Sequence, residues 1–149
     1  MTSRYGLEIR AATASDAPGL ATLLATAGHV TDARVLAELI VASRQASSTA
    51  LVALQWGPLS GLVVMHWYPT LRAPRPTAQI TTLLVNAEER RQGIARILVK
   101  TAAQAARVAG CGDLEILARP DAASLDAFCR ATGFAEAGRM FVRSLRKQG

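Results

Sequence analysis

The chain has 149 residues, of which 50% are apolar and 19% charged, and its formal net charge is +6. This composition is typical of a compact domain that needs no disulfide or metal to form a core, and it excludes a disordered chain. The apolar runs are too short to span a bilayer and the start lacks an apolar signal core, so we expect a single cytoplasmic domain over residues 1–149. Cys111 and Cys129 match no metal-site spacing, so we expect no metal.

The pattern of apolar residues predicts strands and helices that alternate from the middle of the chain onward. Helix starts are marked by polar caps, as in Ser15-Asp16-Ala17-Pro18 and Thr31-Asp32, and helix ends by glycine. The predicted elements are a strand over 7–11, helices from about 17 and 33, a hairpin of 49–55 with 59–68, a strand over 77–85, a helix over 93–109, a strand over 113–118, a helix over 121–132 and a strand over 140–145. Such an order indicates an α/β sheet with helices on both faces.

The most informative segment is the junction between the strand at 77–85 and the helix that follows it. The connecting loop carries Arg90, Arg91 and Gly93, and Arg96 lies in the first helical turn. Free N–H groups at a helix start, the positive end of its dipole and nearby arginines all favour an anion. The loop lacks the glycines and lysine of a Walker loop and the spaced glycines of a dinucleotide fingerprint. We therefore predict a phosphate or pyrophosphate site of another type.

The distribution of charge agrees with a site for a polyanion. Residues 1–89 hold six basic and six acidic side chains, whereas residues 90–149 hold eleven basic and five acidic ones. A nucleic acid is an alternative partner for a basic surface, but these arginines are dispersed and few aromatic residues stand among them. We therefore expect a polyanionic cofactor and neither a nucleic acid nor a membrane as partner.

The sequence Arg90-x-x-Gly93-x-Ala95 resembles the acetyl-CoA loop of the GNAT family of N-acetyltransferases. Three further segments resemble the same family. Arg10-Ala11-Ala12 with Asp16-Ala17 resembles its first strand and helix start, Gln79 to Val85 its fourth strand, and Asp126 to Phe134 its last helix. The resemblance extends over nearly the whole chain. It implies the GNAT acyl-CoA N-acyltransferase fold, with a mixed central sheet of about six to seven strands flanked by about four helices.

The resemblance also assigns the cofactor, acetyl-CoA, to particular residues. Pantetheine would bind main-chain groups of the fourth strand, the pyrophosphate would bind the loop and the helix start, and Phe128 would pack near the thioester. The residues so assigned are Leu83, Leu84, Val85, Arg90, Arg91, Gln92, Gly93, Ile94, Ala95, Arg96 and Phe128. The final strand commonly supports dimers in members of the family, so the resemblance also admits a homodimer.

The groups that would move protons depart from the pattern of the family. Gln79 stands where many members have a glutamate base, and it cannot titrate; Cys129 stands where many have a tyrosine acid. Cys129 is a candidate acid, although a helical cysteine is also explained by packing. His66, on the third predicted strand, is the remaining candidate base, and a structural strand histidine is the alternative.

From these residues we predict an acetyl-CoA-dependent N-acetyltransferase that acts on a primary amine of a small molecule. Acceptance of a protein or peptide amine is one alternative. A catalytically weak CoA-binding regulatory module is another, because the usual glutamate and tyrosine are missing. The identity of the amine does not follow from the sequence, because the proline-containing segment 69–76 carries no charge cluster that would select a ligand.

Overall fold

The computed structural model describes residues 6–44, 47–86, 93–117 and 123–147. Contacts within the chain divide it into two compact units, Met1–Leu117 and Ala118–Gly149. In chain order the elements are β1 (Glu8–Ala11), α1 (Ala17–Thr26), α2 (Ala33–Ser43), β2 (Ser48–Leu54), β3 (Leu59–Tyr68), β4 (Thr77–Val85), α3 (Ile94–Val108), β5 (Asp113–Ile116) and α4 (Ala123–Ala131). Within the described residues, no helix is long and apolar enough to cross a membrane.

The five strands form one sheet in the order β1-β2-β3-β4-β5. The first four strands are antiparallel neighbours, while β5 pairs with β4 in parallel after the crossover through α3. The α/β class is thus confirmed, with a mixed sheet and four α-helices. The five strands of the described residues are fewer than the six to seven predicted.

Two apolar layers cover the two faces of this sheet. On one face α1 and α2 pack on alternate residues of the central strands, such as Val52 and Leu62. On the other face α3 presents a stripe at helical spacing that is buried throughout, namely Ile94, Leu98, Ala102 and Ala106. The register of the central strands is therefore specified by burial on both sides.

Local sequence explains where the first two helices begin. Pro18 lies in the first turn of α1, where its missing N–H costs nothing, and the Asp32 side chain accepts a hydrogen bond from the Arg34 N–H at the start of α2. Asp16 bonds the Thr13 N–H at 2.8 Å and forms a bidentate ion pair with Arg10, both bonds being 2.8 Å. This pair ties β1 to α1, and the sequence did not reveal it.

The second unit contains α4 and the residues that follow it. Gly133, with φ of +94°, ends the helix, and the Phe134 N–H bonds back to the Cys129 carbonyl at 2.9 Å. The strand predicted over residues 140–145 is wrong, because this segment has no regular structure and Phe141 is 89% exposed. The segment is rich in apolar residues, but a strand forms only where a partner strand accepts its hydrogen bonds.

Candidate active site

The sheet opens between β4 and β5. Pairing of β4 with β5 covers only the four residues from Thr77 to Ile80. Pairing of β4 with β3 continues to Val85 and includes a bulge, in which Val64 pairs with Thr82 and Met65 with Ile80. In the described part of the chain, the β5 side of β4 therefore has no strand partner beyond the bulge. The opening exposes one edge of β4 to a ligand.

Main-chain groups of Leu83 and Val85 point into this opening. The Asn86 N–H donates to the Ser60 carbonyl on β3 at 2.8 Å. Main-chain groups of an antiparallel strand alternate in direction, so those of Leu84 also face β3, and those of Leu83 and Val85 face away. Of the three residues predicted to bind pantetheine, two thus offer main-chain donors and acceptors to the opening.

The helix α3 begins next to the end of β4, and no described side chain caps its first N–H groups. Its N-cap is Gly93, which has φ of +75°, and no described atom lies within 4 Å of the place where a Cβ would stand. The first-turn N–H groups, which have no partner inside the helix, belong to Ile94, Ala95 and Arg96, and the helix carries no acidic residue. This end of α3 has the polarity and the open space that a phosphate requires.

Three residues of the predicted cofactor site, Arg90, Arg91 and Gln92, lie outside the described residues. Gly93, Ile94, Ala95 and Arg96 are described. Ile94 is 1% exposed and anchors the helix start in the core, whereas Arg96 is exposed. In the described part of the chain, Arg96 forms no ion pair.

A row of polar side chains crosses the sheet where the opening begins. His66 pairs directly with Ser48 of β2 and with Gln79 of β4, and Gln79 is in register with Glu115 of β5. Directly opposite residues share a face and stand about 5 Å apart between Cβ atoms. The structure thus brings together two residues predicted to act in catalysis, His66 and Gln79, which are thirteen positions apart in the sequence.

Sequence reasoning missed Glu115, the carboxylate of this row. Glu115 and Asp113 are exposed, share a face of β5, and form no ion pair with any described residue. The carbon chain of Arg75 packs near Gly112, but its guanidinium pairs with neither carboxylate. Alternation along the predicted strand 113–118 places both acids on one side, but only the register shows that this is the side of His66.

The remaining site residues, Phe128 and Cys129, lie on α4 in the second unit. Phe128 is half-buried and Cys129 is 8% exposed. Burial raises the pKa of the Cys129 thiol, with a further upward contribution from Asp126 and an opposing one from Arg130. The thiol is therefore protonated at neutral pH, and it is a weaker acid than an exposed cysteine.

A cavity of about 340 Å³ lies elsewhere in the first unit, against α1 and the turn between β2 and β3. Among the described residues, its charged lining consists of Arg10 and Asp16, which already neutralise each other. None of the described residues predicted for catalysis or cofactor binding lines the cavity. Among the described residues, no group of three or more histidine, cysteine, aspartate or glutamate side chains is arranged to hold a metal ion.

Solved structures with the same fold include acetyltransferases of several kinds. An acetyltransferase from Trypanosoma brucei is 22% identical, with a TM-score of 0.80, and the match covers 93% of this chain and 99% of that one. A ribosomal-protein-alanine N-acetyltransferase from Brucella melitensis is 22% identical, with a TM-score of 0.80 and coverage of 94% and 99%. An aminoglycoside acetyltransferase from an uncultured soil metagenomic sample, solved with sisomicin, is 24% identical, with a TM-score of 0.77 and coverage of 95% and 97%. At these identities the similarity shows the fold alone.

Sequence comparison gives the family directly. No curated protein matches the chain. The family model described as Acetyltransferase (GNAT) family matches residues 20–134, which include every described strand from β2 to β5, the start of α3 and all of α4. The chain therefore belongs to the GNAT family of acetyltransferases and is an N-acetyltransferase.

Proposed function

We propose that this protein transfers the acetyl group of acetyl-CoA directly to a primary amine of a small molecule in the cytoplasm. The observation that carries the proposal is the polar row of His66, Gln79 and Glu115 beside the opening of the sheet at β4. We also propose that residues 1–149 act as one acetyltransferase domain. The family model supports this second point, because its match runs from the first unit into the second.

The donor set at the opening fits acetyl-CoA. Main-chain groups of Leu83 and Val85 suit the amides of pantetheine, and the uncapped start of α3 at Gly93 suits the pyrophosphate. Further contacts to acetyl-CoA would come from Leu84, Ile94, Ala95 and Arg96. The loop residues Arg90, Arg91 and Gln92 would add contacts to the pyrophosphate, and Phe128 would pack near the thioester. When bound, acetyl-CoA supplies the activated acyl group.

The reaction joins the amine nitrogen to the thioester carbonyl carbon while the carbon–sulfur bond breaks. The acceptor, an ammonium ion in solution, loses one proton to become nucleophilic and a second as the amide forms; the leaving sulfur takes one proton and solvent takes the other. His66 and Glu115 are the groups of the polar row that can accept a proton, directly or through water. Gln79 stands between them and orients the amine through its amide. Cys129, protonated at neutral pH, is the proposed proton donor to the sulfur.

A hydrogen-bond donor is also needed at the thioester carbonyl oxygen, where negative charge develops during the reaction. The N–H groups of Leu83 and Val85 point to the side where the thioester would lie. A main-chain N–H held by a sheet needs no reorganisation during the reaction, so it is an effective donor to this oxygen. Holding both reactants in one geometry contributes a further 7–11 kcal/mol, roughly, in favourable cases.

The charge of the row favours a small cationic acceptor. Asp113 and Glu115 are exposed carboxylates without partners among the described residues, and an amine is protonated before it reacts. The aminoglycoside acetyltransferase among the structural neighbours was solved with sisomicin. A protein amine is the second candidate, because another neighbour is a ribosomal-protein-alanine N-acetyltransferase.

Two measurements test the proposal in order. Calorimetry with acetyl-CoA should show a dissociation constant well below millimolar, and absence of binding would end every version of the proposal. Release of the CoA thiol is then followed over a panel of small amines and, in parallel, over short peptides with free N-termini. Turnover of small amines supports the proposal, turnover of peptides alone supports the second candidate, and binding without turnover indicates a regulatory module.

A further inference from the structure

Gly61 occupies a position in β3 at which a side chain has no room. It is buried, pairs with Ala53 of β2 and Val85 of β4, and lies on the face covered by α3. Its backbone φ is not positive, so the position does not require glycine for conformational reasons. Glycine is required at this position because the neighbouring atoms leave little room for a side chain.

Three atoms lie closer to the position of a Cβ on Gly61 than a comfortable side-chain contact, and one of them must shift to admit a methyl group. A Cβ added to Gly61 would lie 2.9 Å from Leu98 Cδ1, 3.0 Å from the Leu84 carbonyl oxygen and 3.2 Å from Ile94 Cγ2. Non-bonded carbon atoms pack at about 3.5–4.0 Å. Leu98 and Ile94 are 0% and 1% exposed, so neither side chain can turn out to solvent to make room.

These neighbours belong to the two elements that would bind the two halves of the cofactor. Leu84 lies between the two β4 residues that offer main-chain groups to pantetheine, and Ile94 is the first residue of α3, whose start would bind the pyrophosphate. We propose that Gly61 is a positioning residue for CoA: its missing side chain sets the spacing between the strand and the helix start. This inference rests on the proposed function.

A cofactor that bridges two elements depends on their spacing, whereas a fragment that contacts one element does not. In Gly61→Ala the new methyl group displaces α3, the Leu84 carbonyl or both. The dissociation constant of CoA should then rise at least tenfold. Two fragments serve as comparison: pantetheine, which would contact the strand, and adenosine 3′-phosphate 5′-diphosphate, which would contact the helix start. The dissociation constant of each fragment should change less than twofold.

The experiment compares these three ligands by calorimetry or ligand-observed NMR on the full chain. Gly19→Ala is the matched control, because its Cβ would meet only the Leu59 side chain, at 3.3 Å, on a helix outside the cofactor elements. The control should bind CoA as the wild type does. An unchanged CoA affinity in Gly61→Ala, or an equal loss for CoA and both fragments, would overturn the inference.

A compensating variant separates positioning from general damage to the fold. Leu98→Val removes the Cδ1 atom closest to the added methyl group, so Gly61→Ala/Leu98→Val should recover CoA affinity at least threefold over Gly61→Ala. No recovery would also overturn the inference. If Gly61→Ala alone does not fold, the three-ligand comparison is made on the double variant, in which the contact with the Leu84 oxygen remains. Failure of the wild type to bind CoA would instead refute the proposed function.

Discussion

The cofactor edge of the sheet and the polar row beside it are built in different ways. At the proposed cofactor edge the candidate binding groups are main-chain N–H and C=O groups near Gly61, Gly93 and the end of β4. In the polar row they are side chains, brought together by register across β3, β4 and β5. A main-chain site tolerates changes of side chain but not of backbone, and a side-chain site behaves in the opposite way. The four predictions below test this contrast, from the largest effect on activity to the smallest.

Removal of a proton acceptor from the row should have the largest effect. We expect His66→Ala or Glu115→Gln to lower kcat/KM by about 100-fold at pH 7. Between pH 7 and pH 9 the deprotonated fraction of a primary amine of pKa near 10 rises roughly 100-fold, so the loss should shrink at pH 9. Thiol-release kinetics at both pH values give the comparison, and CoA affinity should stay as in the wild type. Equal losses at both values in both variants would exclude a base in this row.

A change of backbone at the helix start should act on the cofactor instead. Gly93→Ala places a Cβ on a residue with φ of +75°, which costs about 1 kcal/mol. The resulting shift of the first turn should weaken CoA binding roughly tenfold, or 1.4 kcal/mol. Gly28→Ala is the control, since Gly28 has φ of +87° and equally open surroundings at the end of α1. Gly28→Ala should lose about as much stability as Gly93→Ala but should bind CoA as the wild type does. Equal losses of CoA affinity in the two variants would contradict a role for the helix start.

Neutralising Asp113, the carboxylate beside the row on β5, should change selectivity more than rate. Asp113 pairs with Thr77, two positions along β5 from Glu115, so it can hold a second ammonium group of the acceptor. We expect Asp113→Asn to lower kcat/KM for 1,4-diaminobutane roughly threefold relative to n-butylamine, as for an exposed ion pair. Glu8→Gln, at the opposite edge of the sheet on β1, should leave the ratio unchanged. A ratio unaffected by Asp113→Asn would show that this carboxylate does not contact the acceptor.

Loss of the ion pair between Arg10 and Asp16 should affect neither region. The Arg10 guanidinium holds the pKa of Asp16 below its ordinary value, so the pair stabilises the fold above the pKa of the unfolded chain. That stability is lost as the pH falls through the lower pKa of the folded state. Asp16→Asn should lower the free energy of unfolding by about 2 kcal/mol at pH 7. The free energy of unfolding of the variant should also fall less steeply than that of the wild type as the pH is lowered. Urea titrations at pH 7 and pH 3 measure the difference in unfolding free energy between the wild type and Asp16→Asn. A difference as large at pH 3 as at pH 7 would contradict the stabilising role of the ionised pair.

The contrast between the two regions also explains what could be predicted from the sequence. The proposed cofactor edge lies within one continuous segment of the sequence. Its pattern of a strand, a glycine and a helix start was therefore enough to predict the bounds of β4 and α3 closely. The polar row depends on which strands are neighbours and in what register, so Glu115 was missed even though its strand was predicted. The strand predicted over residues 140–145 was wrong for the same reason, because a run of apolar residues does not identify a partner strand.

The short parallel pairing of β5 with β4 has a consequence for the order of folding. The strands β2, β3 and β4 follow one another through short connections, whereas β5 reaches β4 only after the whole of α3 has been placed. Contacts that close a longer loop form later and open more readily. Amide hydrogens of β5 should therefore exchange faster than those of β2 and β3. A ligand that spans the opening would slow that exchange, so cofactor binding would complete the folding of the edge that uses it.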